Sequence, residues 1–140
     1  MRQILLFAAL ATSLALLSGC TLSKTKADTA EDMTGKAAYH KISAEEAYEM
    51  MASQEVVVVD VRTREEYDGG HIENAVLVPN ERIGSEMPEA LPDKEATLLV
   101  YCRSGRRSKD AAQKLLALGY QSVYDFGGVI DWPYELVKEG

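Results

Sequence analysis

Short apolar runs alternate with amphipathic segments along this chain, a pattern that predicts strands alternating with helices. Residues 56–59 are four consecutive valines followed by Asp60, as expected of a strand that is covered on both faces. Similar runs predict strands over residues 75–78, 97–101 and 121–124. Strands and helices that alternate through short loops indicate an α/β domain with a largely parallel central sheet flanked by helices.

Capping signals and helical spacing predict the helices between these strands. An S-x-x-E capping box at Ser43 predicts a helix over residues 43–52, and Thr63 begins a shorter one. A third helix, with apolar positions at helical spacing, follows the loop after Cys102 and ends at Gly119. The remaining predictions are a helical turn within residues 83–87 and a last helix after Gly127 and Gly128 that contains Trp132 and Leu136.

The N-terminal residues have the pattern of a secretory signal. A basic residue precedes a stretch of apolar and small residues over positions 4–19. Its apolar core of about 14 residues is shorter than the roughly 20 of a membrane-spanning helix. The stretch ends in Leu-Ser-Gly-Cys at residues 17–20, which resembles the lipobox of bacterial lipoproteins. We therefore expect residues 1–19 to be removed as a lipoprotein signal peptide and Cys20 to be lipidated. An ordinary signal peptide would instead leave Cys20 as a free or disulfide-bonding thiol.

Residues 20–41 are predicted to form a flexible tether that begins at the lipidated Cys20 and leads to a folded domain over residues 42–140. The tether is polar and lacks apolar periodicity. About 100 residues remain for folding, which is enough for one modest core. The lipid would anchor the domain at a membrane of the bacterial cell envelope, on its periplasmic or extracytoplasmic face.

Charge narrows the range of partners. The chain has a formal net charge of −7, which disfavours nucleic acid as a partner. One segment reverses this sign, because three arginines and a lysine lie within residues 103–109. Positive side chains at the start of a helix oppose its dipole, so a solvated helix start explains them poorly. The local positive charge indicates a small anionic ligand.

Cys102 is the candidate nucleophile because it lies between the end of a strand and the start of a helix. Main-chain N–H groups without helical partners and the helix dipole lower the pKa of a thiol at such a position. Gly105 allows the loop to bend with a positive φ. Lipidation of Cys20 would leave Cys102 as the sole thiol of the mature chain. The alternative is a buried structural cysteine, which has no need of clustered arginines.

Four patches of sequence together resemble the rhodanese superfamily over about residues 42–137. They match, in order and spacing, the family signatures D-V-R, G-H-I, C-x-x-G-x-R-S and G-G-x-x-x-W. The patches are Asp60-Val61-Arg62 with Glu65-Glu66-Tyr67, Gly70-His71-Ile72 with Ala75 and Pro79, the run from Tyr101 through Ser108, and Gly119-Tyr120 with Gly127, Gly128 and Trp132.

This resemblance implies a rhodanese-like three-layer sandwich and a thiosulfate sulfurtransferase. Cys102 would attack the outer sulfur of thiosulfate or a similar donor, release sulfite and become a persulfide, and a thiol, cyanide or protein acceptor would then take the sulfur. The substrate-binding residues would be Arg103, Ser104, Gly105, Arg106, Arg107 and Ser108. Among them, Arg103 and Arg106 would contact the donor's sulfonate, Arg107 would brace the loop, and Ser108 would cap the helix. No cofactor and no metal are implied.

Three polar residues of the signatures are interpreted as structural support. Asp60 and Arg62 would form a hydrogen-bonded pair at the end of a strand. His71 is not needed as a base if the thiolate is already formed. The chain departs from the family pattern after G-H-I, where Asn74 and Leu77 replace the usual glycine and asparagine. Asn tolerates left-handed backbone geometry and can therefore stand in for glycine.

Two other functions remain open at this point. A Cys-dependent phosphatase or arsenate reductase also holds a thiolate in an anion cradle, but its C-x5-R motif has arginine where this chain has Ser108, and its cysteine usually follows a histidine rather than Tyr101. A catalytically weak binding or sulfur-sensing module is the non-enzymatic alternative. Such modules often lack the cysteine that is present here.

Overall fold

The computed structural model describes residues 37–139, which form a five-stranded parallel sheet with helices on both faces. The strands lie in the order β1-β5-β4-β2-β3, so that β4 is central and β1 and β3 are the edges. The strands are β1 (Ala38–Lys41), β2 (Val57–Asp60), β3 (Val76–Leu77), β4 (Thr97–Cys102) and β5 (Ser122–Gly128). The helices are α1 (Ala44–Ser53), α2 (Arg64–Asp68) and α3 (Arg106–Ala117).

Two apolar clusters fill the space on either side of the sheet. On one face, Ala111, Ala112 and Leu115 of α3 pack with strand residues such as Val59. The other cluster contains Ala47 of α1, Tyr67 of α2, Trp132 and strand side chains such as Leu99. The predicted α/β fold, a three-layer sandwich with a parallel central sheet, is confirmed.

The predicted capping residues begin the first two helices. Ser43 and Glu46 form a reciprocal capping box at α1. Thr63 and Glu66 form a second one at α2. Each box satisfies two main-chain N–H groups that have no helical partner, which explains why such short segments fold as helices.

Strand β1 is the main correction to the predicted organisation. Its four residues fall inside the range interpreted as a tether, yet they pair in parallel with β5, from Ala38 opposite Ser122 to Lys41 opposite Asp125. The strand is an edge with three exposed residues, so it lacks the apolar run by which buried strands are predicted. Residues 1–36, with the predicted signal peptide, Cys20 and most of the tether, lie outside the described residues.

The predicted last helix is wrong. A 3-10 turn, Val129–Asp131, follows β5, and the chain then continues without helix to residue 139. Pro133 lacks the N–H that a helix would need there. The main chain of Val137 instead exchanges two hydrogen bonds with that of His71. The helical turn expected within residues 83–87 is also displaced.

Two smaller features affect the edges of the domain. The displaced turn is a 3-10 turn at Asn80–Arg82, directly after Pro79. Asn74 has a φ of 61°, the left-handed geometry expected where relatives carry glycine.

Within residues 37–139, no helix is both long and apolar enough to cross a membrane.

Candidate active site

Cys102 is the last residue of β4, and its side chain is 1% exposed. The chain turns sharply after it, and Gly105 begins α3 with a φ of 98°. A side chain at this φ would be strained, which explains why glycine stands here. The turn brings the main-chain N–H groups of Ser104, Gly105 and Ser108 to the sulfur. Cys102 is therefore held at the carboxyl edge of a parallel sheet, where α/β proteins bind ligands.

Hydrogen-bond donors surround the sulfur of Cys102. The N–H of Gly105 donates to Sγ at 3.0 Å, and the hydroxyl of Ser108 lies 3.7 Å from it. Burial by itself would raise the pKa of the thiol. Donation from the main chain and hydroxyl of Ser108 and from the main-chain N–H groups of Gly105 and Ser104 outweighs burial, so the pKa of Cys102 lies below its ordinary value.

The three arginines of the loop take different positions. Arg107 points away from the rim and forms a two-fold ion pair with Glu66 of α2, with both N–O distances 2.8 Å. This pair holds the pKa of Glu66 at about 2. Arg103 and Arg106 are exposed, and neither makes an ion pair with any residue in the range 37–139. Two guanidinium groups thus remain free to contact an anion, together with the exposed Ser104.

Ser108 does not cap the helix as predicted. Gly105 is the N-cap residue, and no side chain caps this end of α3. The Ser108 hydroxyl is fully buried and lies within hydrogen-bond distance of the carbonyls of Gly105, at 3.0 Å, and Gly127, at 3.3 Å. Because Oγ also faces Cys102, the hydroxyl links the thiol to β5 rather than closing the helix.

The end of β5 forms the wall behind the loop. A Cβ on Gly128 would overlap the carbonyl oxygen of Arg103 and lie 2.6 Å from the Cα of Ser104. The N–H of Ile130 donates to the same carbonyl at 3.2 Å. Glycine is therefore required at position 128 for space, because the loop passes directly against the backbone of β5.

Asp60 and Arg62 lie in a buried network beside the cysteine loop. Arg62 Nη2 is 2.6 Å from Asp60 Oδ2 and donates to the carbonyl of Gly70 at 2.8 Å. Tyr101, which precedes the cysteine, donates its hydroxyl to Asp60 at 2.6 Å and accepts the N–H of Ile72. Burial, with the Asp60 carboxylate, raises the pKa of Tyr101, so its hydroxyl stays protonated as a donor.

His71 is part of the packing of the C-terminal segment. Its ring stacks on that of Tyr67 with the centroids 3.6 Å apart, and Nδ1 lies 2.9 Å from the Tyr67 carbonyl. Its main chain pairs with Val137, as described above. Neither ring nitrogen is among the groups that contact the thiol.

A cavity of about 730 Å³ lies elsewhere, between α1 and the segment after β5. Its lining includes Tyr48, Trp132 and Tyr134, and none of its residues belongs to the cysteine loop. Volume therefore does not locate the candidate chemistry in this fold. The candidate site is located instead by its hydrogen-bond donors, its positive charge and its thiol. No cluster of side chains within residues 37–139 could hold a metal ion.

Several contributors to the site have no signal in the sequence alone. Glu66 matched a family patch but carried no predicted role, and its partnership with Arg107 spans 41 residues. Tyr101 likewise has no predicted role, although its hydroxyl bonds to Asp60 across 41 residues. Long-range pairs of this kind leave no periodic trace, whereas the contact of Gly128 with the loop could have been suspected from the G-G-x-x-x-W signature.

Comparison with known proteins agrees with this geometry. The family model of the rhodanese-like domain matches residues 43–133. A rhodanese from E. coli, solved with anions, is 34% identical and superposes with a TM-score of 0.56 over 61% of this chain and 100% of its own. A human single-domain sulfurtransferase is 27% identical, with a TM-score of 0.59 over 66% of this chain and 93% of its own.

The curated relatives are larger proteins. The tRNA uridine(34) hydroxylase of Yersinia pestis is 31% identical over 106 residues, which are 72% of this chain but only 30% of the relative. The match therefore covers a domain of that protein. Since the family model covers most of the described residues and the thiol, loop and sheet agree with it, this chain belongs to the rhodanese-like domain family.

Proposed function

We propose that this protein is a sulfurtransferase that carries sulfane sulfur on Cys102. The observation that carries the proposal is the convergence of donors from Ser104, Gly105 and Ser108 on one buried sulfur, with a lowered thiol pKa. Such an arrangement stabilises a thiolate and, after transfer, a persulfide anion in the same place. The human and E. coli relatives named above support this assignment.

The reaction would proceed in two displacements. The thiolate of Cys102 attacks the outer sulfur of thiosulfate, a new S–S bond forms, and the original S–S bond breaks with its electron pair leaving on sulfite. In the second step an acceptor thiolate or cyanide attacks the terminal sulfur of the persulfide, and Cys102 leaves as the thiolate. No oxidant, reductant or general base is required, because both attacking groups are already anionic.

Donor binding would depend on the exposed arginines. Thiosulfate carries two negative charges, and Arg103 and Arg106 are exposed guanidiniums at the rim of the loop that make no ion pair with residues 37–139. Arg107 would act indirectly, because its bond to Glu66 fixes the first turn of α3 against α2. In this proposal the exposed Arg103 and Arg106 bind the donor, whereas the Arg107–Glu66 contact fixes the shape of the loop around Cys102.

The test is direct labelling of the sulfur. The full chain carrying Cys20→Ser, so that Cys102 is the sole thiol, is incubated with thiosulfate, and the intact mass and released sulfite are measured. A gain of about 32 Da, one sulfur atom, with sulfite in equal amount is expected. The Cys102→Ser variant should remain folded and show neither product. A folded protein that gains no sulfur, or equal activity in both variants, would refute the proposal.

The same protein distinguishes the two alternatives. A phosphatase or arsenate reductase would release phosphate from an aryl phosphate or reduce arsenate without producing sulfite from thiosulfate. A binding module would do neither, although its thiol pKa could still be low. The acceptor can be compared in parallel by measuring how fast the persulfide is discharged by cyanide, a small thiol or a protein thiol.

We further propose that the protein is exported and anchored through a lipid on Cys20 in the bacterial cell envelope. Support comes from the Leu-Ser-Gly-Cys sequence that ends the apolar N-terminal stretch. Mass spectrometry of the mature N-terminus should find a chain that begins at a lipidated Cys20, and Cys20→Ser should abolish membrane association. An unmodified Cys20 in the mature protein would contradict the anchor without affecting the proposed chemistry.

A further inference from the structure

Asp125 is a buried carboxylate behind the cysteine loop. Its side chain is 1% exposed, and two residues of β1 reach it. The Tyr39 hydroxyl donates to Oδ2 at 2.9 Å, and Lys41 Nζ lies 3.4 Å from Oδ1. Oδ1 also accepts the N–H of Gly127 at 2.9 Å. Both carboxylate oxygens of Asp125 therefore have partners, and each partner belongs to β1 or to the end of β5.

The hydrogen bond to Gly127 holds an irregularity in the sheet. Val100 of β4 pairs with Asp125, whereas the next residue, Tyr101, pairs with Gly127, so that Phe126 is an extra residue of β5. Gly127 has a φ of 91°, a geometry that needs glycine. Bulges of this kind redirect a strand and are common beside active sites. Asp125 thus bonds to the residue at which the backbone of β5 resumes the ladder after the bulge.

From this bulge a short series of contacts leads to the thiol. The carbonyl of Gly127 lies 3.3 Å from the Ser108 hydroxyl, and that hydroxyl lies 3.7 Å from Cys102 Sγ. Gly105 also packs on Gly127, since a Cβ at Gly105 would lie 3.5 Å from the Cα of Gly127. The Ser108 hydroxyl and Gly105, two of the groups around the sulfur, therefore contact the residue to which Asp125 bonds.

We propose that Asp125, held by Tyr39 and Lys41 of β1, is a positioning residue for the Cys102 site, fixing Gly127 so that Ser108 and Gly105 stay directed at the sulfur. The inference rests on the proposed function in that it takes the thiolate as the working state. It also makes β1, which lies within the range predicted as a tether, a part of the active-site architecture.

The sign of one measurement separates positioning from simple charge. As a nearby anion, Asp125 disfavours the thiolate, so its removal through charge alone would lower the pKa of Cys102. As a positioning residue it keeps donors aimed at the sulfur, so its removal would raise that pKa. The other charged groups around the loop include Arg107 with Glu66 and Glu81, the exposed Arg103, Arg106 and Lys109, Asp110 near Arg106, and Lys41. All are retained in the comparison of Asp125 variants.

The experiment measures the rate of iodoacetamide alkylation of Cys102 against pH, in the full chain carrying Cys20→Ser. Asp125→Ala is expected to raise the midpoint of this profile by about one unit, the loss of roughly one hydrogen bond to a charged group. Asp125→Asn keeps a carbonyl oxygen for the Gly127 N–H, so its midpoint should stay near that of the parent or fall. An unchanged or lowered midpoint in a folded Asp125→Ala variant would overturn the proposal.

Milder variants keep the test decisive if Asp125→Ala does not fold. Tyr39→Phe and Lys41→Met each remove one partner of Asp125 and leave the carboxylate in place. Both should raise the midpoint by a smaller amount. Loss of the Lys41 cation would do so through charge alone, so Tyr39→Phe, which changes no charge, is the deciding variant, and no rise in it would count against positioning. Because alkylation does not require sulfur transfer, a parent with a low midpoint but no sulfite release would refute the proposed function alone.

Discussion

Two arginine-containing sites lie side by side at the same edge of the sheet, and they differ in how their polar groups are satisfied. In the first, at the end of β2, Arg62 bonds to Asp60, and Tyr101 bonds to the same carboxylate. In the second, which follows β4, Arg103 and Arg106 are exposed. In the closed network Asp60 neutralises Arg62, whereas the two guanidiniums of the open loop are exposed and make no ion pair with residues 37–139.

Whether an arginine is buried and paired or exposed distinguishes a structural role from a chemical one better than residue type does. The hydrogen bonds of Asp60 and Arg62 are made within the protein, to each other, to Tyr101 and to the Gly70 carbonyl. Around Cys102 the donors converge on a single sulfur, and burial, which would raise the thiol pKa, is outweighed by them. The predictions below perturb the two sites separately, beginning with the largest expected effect.

Removing the carboxylate of the closed network should have the largest effect on stability. Asp60→Ala would leave the guanidinium of Arg62, whose side chain is 6% exposed, without its partner. Breaking a buried pair from one side costs about 3–5 kcal/mol, a large share of the roughly 5–15 kcal/mol of a typical domain. We expect a correspondingly large loss in the free energy of unfolding measured by urea denaturation.

A matched control for this change is the exposed pair on α2. Arg64 and Asp68 are 3.4 Å apart, and both side chains are about half exposed or more. Asp68→Ala should cost less than about 1 kcal/mol. Equal losses for Asp60→Ala and Asp68→Ala would show that burial does not distinguish the two pairs.

Displacing the open loop should remove activity with a smaller effect on stability. A methyl group at Gly128 would overlap the Arg103 carbonyl, so Gly128→Ala must push the loop away from β5. A displacement of about 1 Å in a catalytic geometry can cost about 100-fold in rate. We expect a loss of that order in sulfite release. Gly84→Ala is the control, since nothing lies within 4 Å of a Cβ there, and its activity should be unchanged.

The sheet and the candidate nucleophile could be predicted from sequence because both depend on local signals. The run of valines before Asp60 marks β2, and the capping boxes begin the first two helices. Cys102 was placed at the end of a strand by position alone. These features follow from periodicity, capping and chain order, which are properties of a few neighbouring residues.

The parts that were missed depend on distant partners. Strand β1 forms because β5 offers an edge, and its own residues are mostly exposed. The predicted last helix fails because Pro133 interrupts it and Val137 finds main-chain partners at His71 instead. Ser108 was expected to cap α3, yet it faces the sulfur, because the positive φ of Gly105 turns the loop inward. Tertiary contacts thus override local preference at the site itself.

The link between α2 and the loop should give an effect of intermediate size that depends on pH. The ion pair with Arg107 lowers the pKa of Glu66 from its ordinary value of 4.5 to about 2. A lowered carboxyl pKa contributes stability above about pH 4.5 that is lost as the pH falls toward 2. Allowing for screening at this partly exposed pair, Glu66→Gln should cost about 1 kcal/mol at pH 7.

Measuring the free energy of unfolding of parent and Glu66→Gln between pH 2 and 7 tests this link. The difference between them should be largest above about pH 4.5 and should disappear near pH 2, where Glu66 becomes protonated in the parent. Glutamine can still accept the N–H of Thr63, so the capping box of α2 serves as an internal control. If the difference in free energy of unfolding stayed constant between pH 2 and 7, the destabilisation by Glu66→Gln would not come from the loss of the ion pair with Arg107.

The smallest effect is expected at the rim, where the open loop meets solvent. Arg106 is exposed at the start of α3, so Arg106→Gln should leave the free energy of unfolding nearly unchanged. Its loss should weaken the binding of a dianionic donor through a screened charge contact worth about 0.2–1 kcal/mol, which corresponds to a rise in KM for thiosulfate of up to about five-fold. The turnover number should change little, because the thiolate and its main-chain donors are intact.

Two controls, added salt and removal of a distant charge, test whether the effect on KM comes from Arg106 itself. Added salt should reduce the difference in KM between parent and Arg106→Gln, since screening weakens the contact that the parent retains. Lys138→Gln removes the same unit of charge from the exposed C-terminal segment and should leave KM unchanged. If both variants raised KM alike, the overall charge of the protein would be attracting the donor. A rise confined to Arg106→Gln would instead assign donor binding to the open loop, the property by which it differs from the closed network beside it.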